Sequence, residues 1–352
     1  MSNINQVRLT LRDSALLISD YYNIQYLTGF RGAEGDAKIL LTPQKSYIIT
    51  DSRYEEELAT SVYDSFEVQI TRSFDEAVVQ LLNRENITTL QFEDTLSYRE
   101  YRLLKSHSRL KLSASRELID KVRSIKTPSE IGAIKAANEL SSEGYQYVLN
   151  FIKAGMTEKE VATSLDDWMK SHGSTGASFE TIVASGPRAA MPHGSATSKI
   201  IQNGEMVTLD FGYYVDGYTS DITRTFAVGN PSSKMKEIYE IVLYAQELVI
   251  NTIHNGVGGP DLDQVGRDYI TSKGFGKEFN HGMGHGIGLN IHEYPQSYGG
   301  MQKYQTHTNE IITVEPGIYV EGLGGVRIED DLLVTKDGYK DLTTAPKNLI
   351  IV

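Results

Sequence analysis

The chain contains no cysteine, which excludes disulfide bonds, cysteine-ligated zinc and thiol chemistry together. Oxygen atoms and imidazole nitrogens are therefore the only strong metal ligands that its side chains can offer. The chain is also poor in positive charge, with 34 Lys and Arg against 46 Asp and Glu and a net charge of -12. Because nucleic acids and anionic membranes both attract clustered basic residues, we expect neither as a partner.

Long apolar runs are absent as well. No stretch reaches the roughly 18 consecutive apolar residues that a membrane-spanning helix needs. Residues 1–25 do not combine a basic segment with a following apolar segment, as a secretory signal would. The remaining composition, 40% hydrophobic and 23% charged, is ordinary for a globular protein in water. We therefore expect a cytoplasmic protein.

A length of 352 residues favours two domains. Residues 14–119 alternate short apolar or β-branched runs with two helical stretches, which is typical of a small α/β domain. We predict strands at residues 15–18, 38–41, 46–50 and 88–92, and helices around residues 54–60 and 74–82.

A capping box with proline at the first helical position, Thr127-Pro128-Ser129-Glu130, marks the start of the second domain. Apolar residues then recur on one helix face until Gly155, and a second capping box, Thr157–Glu160, opens another helix. We therefore predict an N-terminal domain over residues 1–124 and a second domain over residues 125–352.

The second domain contains an internal repeat. Residues 205–217 can be placed on residues 310–322, and Glu, Thr, Gly, Tyr, Val and Gly then coincide. Each segment follows two amphipathic helical stretches, which in the second half we predict at residues 231–255 and 261–273. Two such halves, related by a pseudo-twofold axis, would close a site between them.

Acidic residues occupy matching positions in the two repeats. Asp210 falls on Glu315, and a second carboxylate follows each segment, Asp221 in the first half and Glu329 in the second. Two carboxylates of a hairpin can meet across it, because alternate residues of a strand face the same side. Four carboxylates repel one another unless cations neutralise them. With an imidazole from residues 281–288, they would hold two divalent ions, and hard oxygen ligands favour Mn²⁺, Mg²⁺ or Co²⁺.

Single acidic residues and glycine runs are weak signals by themselves. An Asp in a glycine-bounded hairpin is usually a turn or solvated residue. The glycines of residues 282–288 lack both the dinucleotide-binding pattern and a Walker lysine. The joint recurrence of ligand types in both halves is what favours a metal site. We assign to turns or solvated positions Asp216, Glu321, Asp330 and Asp331, and to surface or packing positions His107, His254 and His307.

Five short motifs closely resemble those of the pita-bread metallopeptidases of the aminopeptidase P and prolidase group. They are Leu-Asp-Phe-Gly at Asp210, Ser-Asp-Ile-Thr-Arg-Thr at Asp221, His-Gly-Met-Gly-His-Gly-Ile-Gly at His285, Val-Glu-Pro-Gly-Ile-Tyr at Glu315 and Arg-Ile-Glu-Asp at Glu329. The resemblance covers nearly the whole chain, since a domain of similar length precedes the catalytic domain in that family. It implies an α/β (α+β) chain with a creatinase-like N-terminal domain and a pita-bread catalytic domain.

The resemblance also implies a role for each candidate ligand. Asp210 would chelate one ion, and Asp221 and Glu329 would bridge both. His285 and Glu315 would complete the other ion's site. A water between the ions, its pKa lowered by them, would be the nucleophile, and Glu315 would pass its proton to the leaving nitrogen. We expect two divalent ions per chain, Mn²⁺ first, with Co²⁺ or Zn²⁺ as alternatives.

Four further residues match positions that contact the substrate in this family. His292 would polarise the scissile carbonyl, and His193 would contact the carbonyl after proline. His281 and Arg327 would wall the proline pocket. The resemblance therefore implies catalytic roles for the three histidines besides Glu315.

The metal ligands alone do not select a substrate. Methionine aminopeptidases resemble the chain in these ligands but generally lack a long preceding α/β domain, and creatinases share both domains but lack the metal set. The Xaa-Pro peptidases combine both features. Because a prolyl bond has no N–H and the ring restricts the backbone, its recognition needs a ring-shaped pocket. A proline-containing peptide is therefore the expected substrate.

Two kinds of Xaa-Pro peptidase remain. Dedicated prolidases resembling this chain often carry a histidine and an arginine in the N-domain loop after Gly-Phe, where they clamp the dipeptide carboxylate, and residues 29–38 contain no such pair. We therefore predict an aminopeptidase P type enzyme, with a dipeptide-restricted prolidase as the alternative. A peptide-binding module without activity is disfavoured, because no ligand position is lost. By resemblance we also expect at least a homodimer, in which a loop at residues 26–30 faces the partner's active site.

Overall fold

The computed structural model describes residues 3–60 and 63–352. The chain divides into two compact units, Met1–Arg123 and Ser124–Val352. Among the described residues, no helix is both long enough and apolar enough to cross a membrane.

The first unit alternates strands and helices. Its strands are β1 (Ala15–Ile18), β2 (Ala37–Leu41), β3 (Ser46–Thr50), β4 (Glu67–Ile70), β5 (Thr89–Glu93) and β6 (Lys111–Ser115). Its helices are α1 (Asn3–Arg8), α2 (Tyr21–Thr28), α3 (Glu55–Leu58), α4 (Phe74–Arg84), α5 (Tyr98–Lys105) and α6 (Leu118–Ser124), the last of which ends one residue beyond the unit. The strands form one sheet in the order β4-β3-β2-β1-β5-β6, in which β2 is antiparallel to both neighbours and the other pairs are parallel.

The central strands are covered on both faces. Leu16 and Ile18 of β1 belong to an apolar cluster with residues of α1, α2 and α3, whereas Leu17 belongs to a second cluster with residues of α4 and α5. Successive side chains of a strand point to opposite faces, so both clusters draw on the same strands. Strands β1, β2 and β3 are consequently buried along their whole length. The predicted small α/β domain is confirmed.

Some elements of this unit carry no apolar run and were not predicted. Strands β4 and β6 lie at the two edges of the sheet and are partly exposed, so their polar residues break the expected pattern. Residues 26–28, predicted as part of a loop, instead form the last turn of α2. Gly29 ends that helix with a φ of 79°, a conformation that suits glycine.

Glu93 ends β5 in a buried position. Its Oε2 accepts hydrogen bonds from the backbone N–H groups of Ser19 and Asp20, both at 2.7 Å, and its Oε1 accepts one from Asn23 Nδ2 at 2.8 Å. Burial raises the pKa of Glu93 to about 7, although these hydrogen bonds oppose the rise. The carboxyl group therefore connects the end of β5 to the start of α2, although burial makes its charged form unfavourable.

The raised pKa of Glu93 predicts a pH dependence of stability. A carboxyl group whose pKa is higher in the folded state loses stabilising free energy as the pH rises from its ordinary value of 4.5 to about 7. Below that range both states are protonated and the difference vanishes. Across it, we expect the wild type to lose about 3 kcal/mol relative to Glu93→Gln, measured by urea unfolding at a series of pH values. A difference between the two proteins that does not change with pH would contradict this prediction.

The second unit contains four long helices and a series of short strands. The helices are α7 (Pro128–Phe151), α8 (Glu158–Ser171), α9 (Ser233–Ile250) and α10 (Gly259–Ser272). The strands of its first half are β7 (Gly176–Ala177), β8 (Ile182–Ser185), β9 (Glu205–Phe211), β10 (Tyr213–Val215), β11 (Tyr218–Thr219) and β12 (Ile222–Val228). Those of its second half are β13 (Ile311–Val314), β14 (Gly317–Val320), β15 (Gly324–Arg327), β16 (Asp330–Val334) and β17 (Tyr339–Asp341).

The internal repeat is confirmed in the order of the elements. Helices α7 and α8 precede a sheet of order β12-β9-β8, and helices α9 and α10 precede a sheet of order β13-β16-β17. One apolar cluster joins α7 and α8 to β9 and β12, and another joins α9 and α10 to β13 and β16. The helix pair of each half thus shares an apolar cluster with strands of that half, and Ile134 of α7 also packs with Ile311 of β13 and Leu333 of β16.

Both predicted capping boxes are formed. The side chains of Thr127 and Thr157 each accept a hydrogen bond from the backbone N–H three residues later. The glutamate side chain at that position accepts one from the backbone N–H of the threonine. Helix α7 ends at Phe151, before Gly155, because the backbone of Ile152 is extended. Helix α9 is also shorter than its predicted range, since Ser232 caps it and Ile250 is its last residue.

Candidate metal centre

All nine residues predicted for the site line one cavity of the second unit, with a volume of about 330 Å³. The predicted metal ligands among them are Asp210, Asp221, His285, Glu315 and Glu329. The predicted substrate contacts are His193, His281, His292 and Arg327. An apolar wall is added by Phe179, Ile182, Pro192 and Ile291.

The carboxylates come from the ends of the central strands in both halves. Asp210 lies near the end of β9, and it pairs with Thr223 of β12. Since residues two apart on a strand face the same side, Asp221, which directly precedes β12, points to that face as well. In the second half, the register of β13 and β16, continued by one residue, sets Glu315 opposite Glu329.

Ligand atoms of these side chains converge. One each from Asp221, His285 and Glu329 lie within 4.8 Å of one another. His285 Nε2 is 3.6 Å from Asp221 Oδ2 and also 3.6 Å from Glu315 Oε1. These separations are too long for hydrogen bonds but suit groups that each contact a shared cation at about 2.0 to 2.6 Å.

The electrostatics of the cluster fit a cation. Burial and then the neighbouring carboxylates raise the pKa values of Asp221 and Glu329 well above their ordinary range, and burial raises the pKa of Glu315 to about 8. Asp210 Oδ1 and Asp221 Oδ1 are buried and accept no hydrogen bond from the described residues. Divalent ions would satisfy these oxygens and relieve the repulsion, so the residues present fit a metal site.

The backbone orients His285 for ligation. Its N–H donates to Thr313 Oγ1 at 3.1 Å, and its ring Nδ1 donates to the carbonyl of Gly286 at 3.1 Å, which leaves Nε2 as the ligand. The backbone can approach Thr313 this closely because residue 284 is glycine. A Cβ there would lie 2.1 Å from the carbonyl oxygen of Thr313. Burial, and then His292, lowers the pKa of His285 to about 3. The ring therefore stays neutral, as a metal ligand must be.

Arg327 connects the ligand cluster with the rest of the cavity. Its Nη2 donates to Asp210 Oδ2 at 2.5 Å, its Nε to Thr223 Oγ1 at 3.1 Å and its Nη1 to the Tyr319 hydroxyl at 2.6 Å. Thr223 in turn donates to Glu329 Oε2 at 2.7 Å. One guanidinium thus orients Asp210 directly and Glu329 through Thr223.

The proton positions around His281 follow from its partners. Its Nδ1 lies 2.8 Å from the carbonyl of Gly282, which can only accept, so Nδ1 carries the proton. Its Nε2, at 2.9 Å, then accepts from the Tyr319 hydroxyl. Burial, and then Arg327, lowers the pKa of His281 to about 4. Sequence reasoning did not single out Tyr319 or Thr223, although both lie inside the recognised motifs.

The other two imidazoles lie further toward the opening of the cavity. The ring centre of His292 is 4.2 Å from that of His285, and burial lowers the pKa of His292. His193 is exposed where it lines the cavity. The cavity therefore has a buried acidic end and a more open end that carries imidazoles.

The assignment of Asp330 to a turn or solvated position was wrong, since this residue is fully buried. It accepts from Arg224 Nη2 at 2.6 Å, Gln246 Nε2 at 2.9 Å and Lys347 Nζ at 2.7 Å. Burial alone would raise the pKa of Asp330, but the charges of Arg224 and Lys347 outweigh it and lower the pKa. The partners lie far away along the chain, so no local pattern could reveal them.

The same assignment was wrong for Asp331, which is also fully buried. Its Oδ2 accepts from Asn138 Nδ2 at 2.8 Å and from the backbone N–H of Asp221 at 3.0 Å. Burial raises the pKa of Asp331 to about 7. This carboxyl group therefore holds the backbone of Asp221, a candidate metal ligand, through a contact that forms only in the folded chain.

The other assignments to turns and to the surface are confirmed. Asp216 and Glu321 are exposed, and Asp216 has a φ of 51°, as turn residues do. The histidines predicted for surface or packing positions are all exposed: His107, His254 and His307.

Known proteins resemble this chain over nearly its whole length. Residues 132–336 match metallopeptidase family M24, and residues 10–125 match the creatinase/prolidase N-terminal domain. An Xaa-Pro dipeptidase of Pyrococcus horikoshii is 37% identical over 339 residues, which are 96% of this chain and 94% of the relative. The structure of an Xaa-Pro dipeptidase from Bacillus anthracis is 40% identical, with a TM-score of 0.94 and 99% of both chains covered. The structure of an X-Pro aminopeptidase from Thermotoga maritima is 35% identical, with a TM-score of 0.88, and the match covers 99% of this chain and 100% of the other.

These matches confirm the fold that the motifs implied, a creatinase-like N-terminal domain followed by a pita-bread catalytic domain. The likeness extends over both domains, and the structural match to the Bacillus anthracis protein leaves almost no part of either chain unpaired. The chain belongs to metallopeptidase family M24, a family of enzymes that bind divalent metal ions.

Proposed function

We propose that this chain is a metal-dependent Xaa-Pro dipeptidase. The observation that carries the proposal is the composition of the cavity, whose volume is about 330 Å³. It is lined by the five candidate metal ligands, one guanidinium, three further imidazoles and an apolar wall. That volume lies at the small end for ligand pockets and suits a short peptide. Two similar proteins, 37% and 40% identical, are named Xaa-Pro dipeptidases. Their names favour the dipeptidase over the aminopeptidase P type that residues 29–38 indicated.

Five side chains would hold two divalent ions. They are Asp210, Asp221, His285, Glu315 and Glu329. When bound, the ions would supply Lewis acidity and a water acidic enough to attack at neutral pH. The ligand set is rich in oxygen and the chain has no cysteine, which supports Mn²⁺ or Co²⁺ ahead of Zn²⁺.

The chain's own groups would manage the proton and the developing charge. Glu315, beside His285, would accept a proton from the attacking water and pass it to the proline nitrogen as the bond breaks. His292 would donate a hydrogen bond to the scissile carbonyl oxygen, where negative charge grows in the transition state. Both groups would thus act at the bond that is cleaved.

The part of the cavity beside the acidic cluster would bind the proline residue. The apolar wall, to which Phe179 and Ile291 contribute, would receive the ring, and His281 and Arg327 would flank it. His193 would contact the carbonyl group that follows proline. Because the prolyl nitrogen carries no hydrogen, recognition would rest on ring shape and on these polar groups.

An aminopeptidase P type activity is the second candidate. Residues 29–38 lack the histidine and arginine pair with which dedicated prolidases clamp a dipeptide carboxylate, and the Thermotoga maritima structure, 35% identical, is named an X-Pro aminopeptidase. Such an enzyme would also accept peptides that continue beyond proline. The two candidates share the metal centre and differ only in how they treat the substrate's carboxyl end.

The deciding experiment compares a dipeptide with a tripeptide. Bound metal per chain is measured first, and kcat/KM is then determined for Gly-Pro and for Arg-Pro-Pro. We expect the dipeptide to be preferred by about a hundredfold, or roughly 2.7 kcal/mol of transition-state free energy. Equal or better cleavage of the tripeptide would establish the aminopeptidase P type instead. A metal-loaded protein that cleaves neither peptide would overturn both candidates.

The role proposed for His292 predicts a specific kinetic change. His292→Ala should lower kcat by about 10² to 10³, because the lost donor acts mainly on charge that develops in the transition state. The matched control is His254→Ala, which removes an exposed imidazole outside the cavity and should leave kcat and KM unchanged. An effect of His292→Ala on KM alone would assign this residue to ground-state binding.

The expected homodimer and cytoplasmic location remain predictions. Sedimentation velocity of the metal-loaded protein would distinguish a dimer from a 39.2 kDa monomer. A monomer with full activity would contradict the expectation that a partner subunit faces the active site.

A further inference from the structure

The segment that carries His193, residues 186–197, is held near both of its ends. Beyond His193, Ser195 forms a β-bridge with Ile182 and its hydroxyl donates to Glu180 Oε2 at 3.0 Å. The segment begins with a short 3₁₀ turn at Gly186–Ala190, and most of it lies outside any strand. The turn bonds from Met191 N–H to the Arg188 carbonyl and from Gly194 N–H to the Met191 carbonyl shape its tip. His193 stands at that tip, so the contacts on either side of it, including those at the two ends of the segment, determine its position.

Glu158, the first residue of α8, joins those two ends. Its side chain is fully buried. Oε1 accepts from the N–H of Ser185 at 2.9 Å and from the Ser185 hydroxyl at 2.8 Å. Oε2 accepts from the N–H of Thr197 at 3.1 Å and from the Thr197 hydroxyl at 2.8 Å. One carboxylate therefore binds the residue before the segment and the last residue within it.

Arg188 reinforces the same closure from inside the segment. Its Nη1 forms an ion pair with Glu158 Oε2, and its Nη2 donates to the carbonyl of Ser195 at 2.9 Å. The side chain of Arg188 is 23% exposed, whereas its partner is at 0%. We call this pair, Glu158 and Arg188, the clasp.

The segment also rests on the strand that carries Arg327. Gly325 of β15 lies so close to the 3₁₀ turn that a Cβ there would be 2.1 Å from the carbonyl oxygen of Ala189. This close approach packs the start of the segment against β15, whose last residue, Arg327, lines the cavity. Neither member of the clasp lines the cavity itself, whereas His193 and Pro192 do.

A buried ion pair is a costly way to gain stability, since well-packed apolar side chains of similar volume often serve as well. What a carboxylate and a guanidinium add is directional bonding to three backbone groups, the N–H groups of Ser185 and Thr197 and the carbonyl of Ser195. Geometry of that kind matters where a side chain must be held to within a fraction of an ångström. The arrangement therefore suits the placement of a substrate-contacting residue.

We propose that Glu158 and Arg188 are positioning residues that hold His193 against the peptide carbonyl following proline. The inference rests on the proposed function, in which His193 makes that contact. The clasp acts on catalysis only through His193, while the metal cluster forms without it. Loss of the clasp should therefore weaken the use of substrate and leave metal binding intact.

A double-mutant cycle tests the proposal. Arg188→Met, His193→Ala and the double variant are compared by kcat/KM for Gly-Pro, together with metal content and melting temperature. We expect His193→Ala and Arg188→Met each to lower kcat/KM by about tenfold or more, and the double variant to be no worse than His193→Ala alone. Metal content should equal that of the wild type in all three.

Two further variants sharpen the result. Arg188→Lys keeps the charge near Glu158 and should recover part of the activity lost in Arg188→Met. Lys170→Met is the matched control. It removes an exposed ion pair with Asp166 on α8, the helix that begins with Glu158, and the kinetics of this variant should not change. Thr197→Val keeps the ion pair and removes one bond to Glu158, so it tests the clasp if Arg188→Met does not fold.

The outcomes separate the inference from the proposed function. If losses in the double variant multiply, to about a hundredfold or more, Arg188 acts independently of His193 and the clasp proposal is overturned. Normal kinetics in Arg188→Met or Thr197→Val would overturn it as well. A metal-loaded wild type that does not cleave Gly-Pro would sink the proposed function itself, and the role of the clasp would fall with it.

Discussion

Removal of divalent metal ions is expected to abolish peptide cleavage completely and reversibly. The reason lies in the cluster of four carboxylates and one imidazole, in which burial and mutual repulsion hold several pKa values far above their ordinary range. Without cations, nothing in the cluster lowers the pKa of a water enough for it to attack at neutral pH. Activity should return with Mn²⁺ or Co²⁺, the ions that oxygen-rich ligand sets favour.

The measurement is the rate of Gly-Pro cleavage after dialysis against a chelator and after addition of each ion. Melting temperature gives a second readout, because ions that bind only the folded state stabilise it, by about 2.7 kcal/mol per site at a hundred times the dissociation constant. The metal-free protein should therefore melt at a lower temperature. Full activity in a protein shown by elemental analysis to contain no metal would refute the metal-dependent mechanism.

Asp221→Asn should be among the most damaging single substitutions. The carboxylate of Asp221 is buried, one of its oxygens has no partner among the described residues, and the other lies 3.6 Å from His285 Nε2. An amide offers one neutral oxygen in place of two charged ones, so it cannot serve two cations. We expect kcat/KM to fall by about 10³ or more and the bound metal to drop below two ions per chain.

Asp216→Asn is the matched control for that substitution. Asp216 is exposed and has a φ of 51°, a conformation that asparagine also adopts readily. The same chemical change there should leave metal content and kinetics unaltered. Near-normal turnover of Asp221→Asn with both ions retained would show that Asp221 does not bridge them.

The residues that meet in the candidate metal centre could be singled out because the two halves of the catalytic domain repeat each other. Asp210 and Glu315 occupy equivalent positions of two strand segments, and strand alternation then directs Asp221 and Glu329 to the same face. Such information is local, since it lies in short motifs and in their common offset. The capping boxes at the starts of α7 and α8 were predictable for the same reason.

Residues that support the centre could not be predicted in this way. Asp330 and Asp331 were assigned to exposed positions, yet their partners Arg224 and Asn138 lie 106 and 193 residues away along the chain. Two adjacent acidic residues in a sequence are expected to be exposed to solvent unless their partners are known. Partners so distant are brought together only when both halves have formed their sheets.

By itself, the sequence determined the kind of chemistry available to this protein. The absence of cysteine limited the ligands to oxygen and imidazole. The repeated acidic motifs indicated four candidate ligands and the glycine-rich segment a fifth, His285, because ligand chemistry and strand periodicity can be recognised from neighbouring residues. Only the tertiary structure decided how those ligands are held. The hydrogen bonds from Arg327 to Asp210 and Tyr319, and the contacts of Glu158 with both ends of the His193 segment, join residues that are separate in sequence. Such contacts depend on how strands and helices pack against one another, and no short stretch of sequence specifies that packing.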